Sequence, residues 1–276
     1  MPRASTDLEI VSRLPAQPTS KPPLLFIHGA FCGAWCWDEH FLPFFAAAGY
    51  ASHALSLSGH GHSAGHDHLD SLSIADYVED VRRAIKTLPE APLLIGHSMG
   101  GFVVQKYLER YSAAGAVLMC SVPPQGMLMS AFSVMLNRPR LLSDLNTLMA
   151  GGRASLDNLR EALFAQEVST DDLMRFLRLS QPESHRAIWD MMLFSLPDTR
   201  RIRDHLPTRR GAPALHVIGA EFDHLMPTSA AEMTARTYGV EAHVFPGMGH
   251  GLMLERDWRE VAVHLVAWLE QLEEDA

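Results

Sequence analysis

The stretch Gly96-His97-Ser98-Met99-Gly100 decides the fold of this 276-residue chain. It follows the apolar run 91–95, Ala-Pro-Leu-Leu-Ile, which is typical of a buried strand. It precedes the segment 101–108, whose apolar spacing predicts a helix. A strand, a Gly-x-Ser-x-Gly turn and a helix in this order form a nucleophile elbow, in which glycines leave room for a sharp turn. The pattern therefore predicts that the Ser98 hydroxyl stands at the carboxyl edge of a sheet.

Two further side chains can complete a catalytic group with Ser98. A serine hydroxyl becomes a good nucleophile when a histidine removes its proton, and an acid orients that histidine. Asp223 comes just after the predicted strand 213–218, and His250 follows the predicted strand 242–245. Because the carboxyl ends of parallel strands share one edge, both loops are expected to converge on Ser98. The sequence predicts Ser98 as nucleophile, Asp223 as acid and His250 as base.

Other side chains compete for the roles of acid and base. Glu221 is the second candidate for the acid, because it lies in the same loop as Asp223. His243 and His264 are alternative bases, but one lies inside a predicted strand and the other inside a predicted helix. Both positions are more typical of structural histidines.

Acyl transfer also needs two amide donors for the oxygen that becomes negatively charged. The amide of Met99, directly after the nucleophile, is the first. The second is expected from the loop after the predicted strand 24–27, in the stretch His28-Gly29-Ala30-Phe31. We favour the amide of Ala30, with Phe31 as the alternative.

Short apolar runs alternate with helical segments along most of the chain. This alternation predicts an α/β protein with a mostly parallel sheet and helices on both faces. Residues 123–206 differ, since they contain no convincing strand and hold seven of the 14 methionines. We interpret them as a helical cap inserted over the carboxyl ends of the strands, with a possible hinge at Gly151-Gly152. Residues 1–122 and 207–276 would then form the core.

The sequence shows where one of the predicted helices begins. Ile74, Val78 and Val81 lie on one helical face, and Ser73 directly precedes them. Asp76 occupies the third position after the serine. The spacing predicts a helix that begins after Ser73, with the serine as its N-cap.

Composition limits which partners the protein can have and where in the cell it is expected. The net charge is −9, so no basic stripe is available for a nucleic acid. No apolar run approaches the ~20 residues of a membrane span, and no signal peptide is visible, so stable membrane insertion is not expected. Cys32, Cys36 and Cys120 lack zinc-like spacing and are interpreted as free thiols. We expect a cytoplasmic protein, and the sequence leaves its oligomeric state open.

Taken together, these residues resemble the α/β-hydrolase superfamily over nearly the whole chain. The matching motifs are His28-Gly29, Gly59-His60-Gly61-His62-Ser63, Gly96-His97-Ser98-Met99-Gly100-Gly101, Asp223 and Gly249-His250. The resemblance implies an eight-stranded, mostly parallel sheet, a cap domain and no cofactor, and it carries over the same nucleophile, acid and base. The segment 28–35 is similar to plant-type esterases and hydroxynitrile lyases, and the segment 96–101 to monoacylglycerol lipases and bacterial esterases.

Departures from the family narrow the expected activity. Haloalkane dehalogenases and epoxide hydrolases of this fold use an aspartate nucleophile, so Ser98 excludes both. Hydroxynitrile lyases of the similar branch carry a lysine after the catalytic histidine and a threonine in place of the loop glycine. This chain has Gly251 and Gly29 at those positions, so a lyase is not expected.

A histidine-rich stretch raises the question of a metal site. The possible ligands between residues 60 and 70 are His60, His62, His66, Asp67, His68 and Asp70. The glycine-rich loop of the family accounts for the first two, and the others have the composition of an exposed segment. We therefore expect no metal.

The sequence predicts a serine hydrolase that cleaves a carboxylic ester of a small to medium, largely apolar small-molecule substrate. Methionines and aromatic residues of the cap, including Trp189, favour an apolar pocket, although many of them would be needed simply to pack the cap. Phe31 and His97 are further candidate substrate contacts. The same triad could serve a C–C bond hydrolase of dienoic ring-fission products, a thioesterase or a perhydrolase. A non-catalytic ligand receptor is the alternative from another class, and the complete triad argues against it.

Overall fold

The structure, a computed structural model, describes residues 7–128, 143, 147, 149, 152, 155–209 and 211–274. The strands are β1 (Ile10–Arg13), β2 (Leu24–Ile27), β3 (Ser52–Leu55), β4 (Leu93–His97), β5 (Ala116–Met119), β6 (Thr208–Arg209), β7 (Ala212–Pro213), β8 (Leu215–Ala220) and β9 (Ala242–Phe245). Seven of them form one sheet in the order β1-β3-β2-β4-β5-β8-β9, and β6 and β7 form a separate pair. Only β1 runs antiparallel to its neighbour in the large sheet. The predicted α/β class with a mostly parallel sheet is confirmed.

The expected number of strands is wrong for the described chain, where the main sheet has seven strands and not eight. An eighth strand would have to pair with β1 or β9, which form the two edges. The chain between β1 and β2 carries four prolines, and proline has no N–H to donate to a strand ladder. After β9 the chain turns directly into the loop of His250 and the last helix.

Helices cover both faces of the sheet. Those in the described residues are α1 (Trp35–Asp38), α2 (Phe41–Ala47), α3 (Ile74–Thr87), α4 (Met99–Leu108), α5 (Leu156–Leu163), α6 (Thr170–Leu179), α7 (His185–Trp189), α8 (Thr199–Asp204), α9 (Thr228–Tyr238) and α10 (Trp258–Glu274). A 3₁₀ helix spans His66–Ser71, and a π-helical turn, Asp190–Phe194, continues α7. None of these helices combines the length and the apolar character that crossing a membrane requires.

Two hydrophobic cores lie on opposite faces of the sheet. Successive strand residues point to opposite faces, and in β2 Leu25 and Ile27 belong to one core while Leu24 and Phe26 belong to the other. Helices α3, α4 and α9 supply the first core, and α2 and α10 supply the second. Because β2, β4 and β5 are buried along their whole length, they are the continuous apolar runs that the sequence shows.

The predicted start of α3 is confirmed in detail. The Ser73 hydroxyl accepts a hydrogen bond from the Asp76 amide at 3.3 Å, and the Asp76 carboxylate accepts one from the Ser73 amide at 2.8 Å. This reciprocal pair is a capping box, which satisfies amide groups that the first turn of a helix leaves unpaired.

The interval between β5 and β6 contains helices α5 to α8, and no strand occurs among its described residues. Helices α5 and α6 pack around a small cluster of Phe164, Leu173 and Phe176. The division into a core of residues 1–122 and 207–276 and a cap of residues 123–206 stays a prediction. Gly151, one half of the predicted hinge, lies outside the described residues.

Candidate active site

Ser98 lies at the turn between β4 and α4 in a strained backbone conformation. Its φ of 52° and ψ of −117° are uncommon for a residue with a side chain. Neighbouring main-chain groups hold it there. Its amide donates to the Met119 carbonyl at 2.9 Å, and its own carbonyl accepts from the amides of Gly101 and Val122 at 3.1 and 3.2 Å. The end of β5 therefore holds the serine at the carboxyl edge of the sheet.

Two glycines permit this turn because neighbouring groups come very close to them. A Cβ atom at Gly100 would overlap the carbonyl oxygens at the end of β2. A Cβ atom at Gly29 would lie 3.0 Å from the Ser98 Cβ and 2.9 Å from the His97 Nδ1. The loop after β2 thus packs directly against the serine.

Asp223 and His250 form a buried pair. The His250 Nδ1–H donates to Asp223 Oδ2 at 2.7 Å, and the two residues are 3% and 4% exposed. The other carboxylate oxygen, Oδ1, accepts the amides of Leu225 at 2.9 Å and Met226 at 2.7 Å. These bonds fix the carboxylate, which in turn fixes the histidine tautomer and leaves Nε2 as the proton acceptor. The Ser98 hydroxyl and His250, both described by the structure, are not joined by a hydrogen bond. The distance between a nucleophile and its base is often long before substrate binds.

His97 lies under the loop that carries His250. Its Nε2–H donates to the His250 carbonyl at 2.9 Å, and the two ring centroids are 4.6 Å apart. Burial, together with the nearby His250, lowers the pKa of His97 to about 3, so the ring is neutral at physiological pH. This placement favours a structural role for His97, in which it holds the His250 loop, and does not favour the predicted role as a substrate contact.

Glu255 is a second support for the same loop, and the sequence analysis missed it. Its buried carboxylate accepts the amides of Gly249 and Ala165, both at 2.7 Å, and of Gln166 at 3.1 Å. Burial raises the pKa of Glu255, and these three donors oppose the shift. One side chain therefore ties the His250 loop to the segment that follows α5.

The loop after β2 presents the candidate oxyanion amides. His28 Nδ1–H donates to the Gly29 carbonyl at 2.7 Å, and its Nε2 accepts the Leu57 amide at 3.0 Å. Burial and the neighbouring His60 lower the pKa of His28 to about 3, which keeps the ring neutral. The Gly29 carbonyl shares a planar peptide unit with the Ala30 N–H. His28 therefore holds the peptide that carries the favoured oxyanion donor.

Phe31 is less suited to be that donor. Its amide points to Glu183 Oε2, at 3.4 Å, and its φ of 65° is left-handed. This hydrogen bond favours Ala30 over Phe31 as the second oxyanion donor beside Met99.

The third predicted substrate contact, Trp189, lies at the end of α7 with 57% of its surface exposed and its ring 6.3 Å from that of Phe194.

One group of possible metal ligands lies at the site. The ligand atoms of Cys120, Asp223 and His250 are all within 4.8 Å of one another. Asp223 and His250 already bond to each other, and burial and the Asp223 charge raise the pKa of the Cys120 thiol well above its usual range. A protonated thiol beside a paired histidine favours a hydrogen-bonded site over a metal centre.

The histidine-rich stretch does not converge on one point. His60 is buried against Glu183, and His62 is exposed at 4.0 Å from Glu9. Farther along, His66 Nε2–H donates to the Gly61 carbonyl at 3.1 Å. Asp70 pairs with His185 at 2.6 Å. Each of these four side chains has a different partner, which favours separate hydrogen-bonding roles over one common metal site.

The alternative bases lie away from Ser98. His264 Nε2 is 2.7 Å from the Nε2 atom of His216, and its ring stacks on that of His243 at 3.9 Å. His216 and His243 sit near the beginnings of β8 and β9, whereas Asp223 and His250 follow the ends of those strands. His264 packs against these two histidines, and His216 and His243 form part of the wall of a pocket at the amino ends of the strands.

Comparison with known families agrees with this architecture. The model of the alpha/beta hydrolase family matches residues 24–264, and the chain therefore belongs to that family. An esterase from Exiguobacterium antarcticum superimposes with a TM-score of 0.72 at 20% identity, covering 95% of both chains. At that identity the likeness shows the shared fold alone.

Two relatives illustrate the range of activities in the family. The chain is 28% identical over 252 residues to a non-heme haloperoxidase from Rhodococcus erythropolis, covering 83% of this chain and 86% of that protein. It is 38% identical over 90 residues to methyl jasmonate esterase 1 from Vitis vinifera, covering 32% of this chain and 33% of the relative. The match thus spans about a third of the plant protein.

Proposed function

We propose that the protein is a serine hydrolase that cleaves a carboxylic ester of a small to medium, largely apolar substrate through an acyl-enzyme. The observation that carries this proposal is the buried Asp223–His250 pair at the same sheet edge as the strained Ser98. Membership of the alpha/beta hydrolase family supports it, as does the partial match to a plant methyl jasmonate esterase.

The reaction begins when Ser98 Oγ attacks the ester carbonyl and His250 Nε2 takes its proton. The carbonyl oxygen becomes negative and accepts hydrogen bonds from the amides of Ala30 and Met99. The proton on His250 then passes to the departing alcohol, which leaves an acyl group on Ser98. Water, deprotonated by His250, releases the acid, while Asp223 stabilises the imidazolium in both halves.

The substrate pocket belongs to the same proposal. Residues 123–206 would form a cap over the carboxyl ends of the strands, with Phe31 and Trp189 as candidate contacts for the acyl group. Leu193 and Phe194 are 57% and 71% exposed close to Trp189. An apolar group of this kind suits an uncharged acyl chain or an aromatic ring.

Perhydrolysis is the second candidate, because the haloperoxidase relative covers 83% of this chain. The first half of the reaction is unchanged in this case. Hydrogen peroxide replaces water in the second half, and one of its oxygens attacks the acyl carbon. The product is a peracid, and Ser98 regains its hydroxyl. Adding peroxide to an ester assay and measuring peracid against acid separates the two.

The experiment that tests the proposal is hydrolysis of p-nitrophenyl esters of increasing chain length. We expect turnover with an optimum at short or medium chains and a loss of about 10⁴-fold or more in Ser98→Ala. Ser71→Ala, which changes an exposed serine bonded to a carbonyl in its own turn, is the matched control and should keep the wild-type rate. Equal turnover in Ser98→Ala and wild type would exclude the mechanism.

A further inference from the structure

A buried carboxylate that the proposed mechanism does not use lies behind the loop after β2. Glu183 is 1% exposed. Its Oε2 atom accepts the His60 Nε2–H at 2.9 Å and the Phe31 amide at 3.4 Å. The other oxygen, Oε1, accepts the Tyr77 hydroxyl at 2.8 Å and the Ser184 amide at 2.7 Å. Four donors thus converge on one side chain.

The charge of this carboxylate is matched by His60. Burial opposes charge on both residues, but each favours the charged form of the other, so the pKa of Glu183 is lowered and that of His60 is raised. A buried charge is tolerated only where a counter-charge and hydrogen bonds replace water. Glu183 and His60 therefore act as an ion pair that fixes the carboxylate in one position.

The same short segment holds both main-chain groups of Phe31. The Phe31 amide donates to Glu183, and the Phe31 carbonyl accepts the Gln181 amide at 3.1 Å. The Gln181 side chain is itself anchored, because it accepts the Gly61 amide at 2.8 Å and donates to the Gly59 carbonyl. A left-handed residue such as Phe31 persists only when its surroundings determine it in this way.

We propose that Glu183 is a positioning residue for the oxyanion hole. The Ala30–Phe31 peptide ends in the N–H that Glu183 binds, and the preceding peptide carries the Ala30 N–H that faces the substrate oxygen. His28 fixes the Gly29–Ala30 plane and Glu183 fixes the Ala30–Phe31 plane, so the direction of the Ala30 N–H depends on both. Glu183 lies between α6 and α7, so the predicted cap interval sets the geometry of the catalytic loop. This inference rests on the proposed function.

The variant Glu183→Gln separates this role from simple packing. Its amide group must replace one carboxylate oxygen and will repel any N–H placed opposite. The Ser184 amide at 2.7 Å holds the remaining oxygen more strongly than the Phe31 amide at 3.4 Å. The new NH₂ is therefore expected to face Phe31. His60, which is neutral once the carboxylate charge is gone, can accept a hydrogen bond from this NH₂ through Nε2. Tyr77→Phe is the matched control, since it removes a bond to Oε1 and leaves the charge and the Phe31 contact in place.

The readouts are the kinetics on a p-nitrophenyl ester and the affinity for an alkylboronic acid. The boron accepts a lone pair from Ser98 Oγ, whose proton passes to His250, and the tetrahedral adduct places an oxygen in the oxyanion hole. We expect kcat to fall by about 10-fold in Glu183→Gln, less than the roughly 100-fold cost of deleting a donor. Boronate affinity should fall in parallel, with KM nearly unchanged and Tyr77→Phe close to wild type.

Three outcomes would overturn the proposal: wild-type boronate affinity in Glu183→Gln, an equal loss in Tyr77→Phe, or a change confined to KM. Should Glu183→Gln not fold, the double variant His60→Gln/Glu183→Gln removes the whole ion pair and is measured in the same way. A parallel loss of kcat and boronate affinity in it supports the role, and wild-type affinity overturns it. Failure of the proposed function has a different signature, since wild-type turnover would then not depend on Ser98.

Discussion

Backbone strain in this protein is concentrated at one edge of the sheet. Among the described residues, three residues other than glycine have a left-handed φ, and they are Phe31, Ser98 and Cys120. Each follows a neighbouring parallel strand, β2, β4 or β5. Such conformations cost about 1–3 kcal/mol each and are kept where the surrounding structure compensates. Their clustering marks the same edge that carries Asp223 and His250.

The hydrogen bonds of Asp223 lead to a prediction for Asp223→Asn. The amides of Leu225 and Met226 need an acceptor, so the asparagine oxygen must stay at the Oδ1 position. Its NH₂ group then faces His250 Nδ1, which forces the proton to Nε2, where the base must be free. We expect kcat on a p-nitrophenyl ester to fall by about 10⁴-fold.

Glu221→Gln is the control for this substitution. Glu221 was the competing acid, and the structure engages its carboxylate with the Gly247 amide at 2.9 Å. We expect near wild-type kcat in this variant. The assignment of the acid would be reversed if Glu221→Gln lost more activity than Asp223→Asn.

Among the elements, helix α3 begins with the capping box of Ser73 and Asp76. The substitution Ser73→Ala removes the hydroxyl that accepts from the Asp76 amide and donates to the Asp76 carboxylate, which is expected to cost about 1 kcal/mol. For a chain of this size the midpoint of thermal unfolding should fall by roughly 2–4 °C. Calorimetry of the variant checks this, with esterase activity unchanged because α3 carries none of the candidate catalytic residues.

Ser71→Ala serves as the comparison for the cap. Its hydroxyl donates to the His68 carbonyl within the exposed 3₁₀ helix His66–Ser71, and it caps no α-helix. Its unfolding midpoint should stay near that of the wild type. A loss as large as that of Ser73→Ala would show that the capping box does not stabilise α3.

Elements whose signals are local were predictable from the sequence. The buried strands β2, β4 and β5 come from continuous apolar runs, and the turn at Ser98 is specified by its flanking glycines. Helix boundaries are less predictable, because α7 passes into the π-helical turn Asp190–Phe194 without a glycine or proline to mark the change. The short pair β6–β7 and helix α1 carry no distinct periodicity and were not predicted.

The supports of the candidate site could not be predicted for a different reason. Glu183 contacts a residue 152 positions away, and Glu255 one 90 positions away. Both bind main-chain amides, which every residue except proline offers. The side-chain partners of Glu183, His60 and Tyr77, lie 123 and 106 positions away in the sequence. The candidate nucleophile, acid and base were predictable because each follows a predicted strand, whereas these carboxylates depend on how distant segments pack.

At the scale of the whole molecule, buried histidines should make stability depend on pH. Burial lowers the pKa of His28, His97 and His216 from 6.5 to about 3. Between these values the unfolded chain binds protons that the folded chain does not. The free energy of unfolding should therefore fall as the pH drops below about 6.5, by on the order of 1 kcal/mol per pH unit for each histidine.

Urea unfolding at pH 7.5, 6.5 and 5.5 measures this dependence. The raised pKa of His60 works in the opposite direction above pH 6.5, where its contribution to stability is lost as the pH rises. His216→Phe, at the sheet edge away from Ser98, removes one of the three groups and should make the dependence shallower. Stability that stays constant from pH 7.5 to 5.5 would contradict the burial of neutral histidines.

The position of Glu255 also bears on how this protein could be re-engineered. Its carboxylate joins the His250 loop to Ala165 and Gln166, so the segment after α5 is not an independent module. A chimera that exchanges residues 123–206 for those of another hydrolase would replace the segment that positions two of the three amides that Glu255 binds. Unless the new segment places two amides at the same points, a buried carboxylate beside the base is left short of donors, so substrate range and catalytic competence would change together. A successful graft must therefore carry both ends of that bridge.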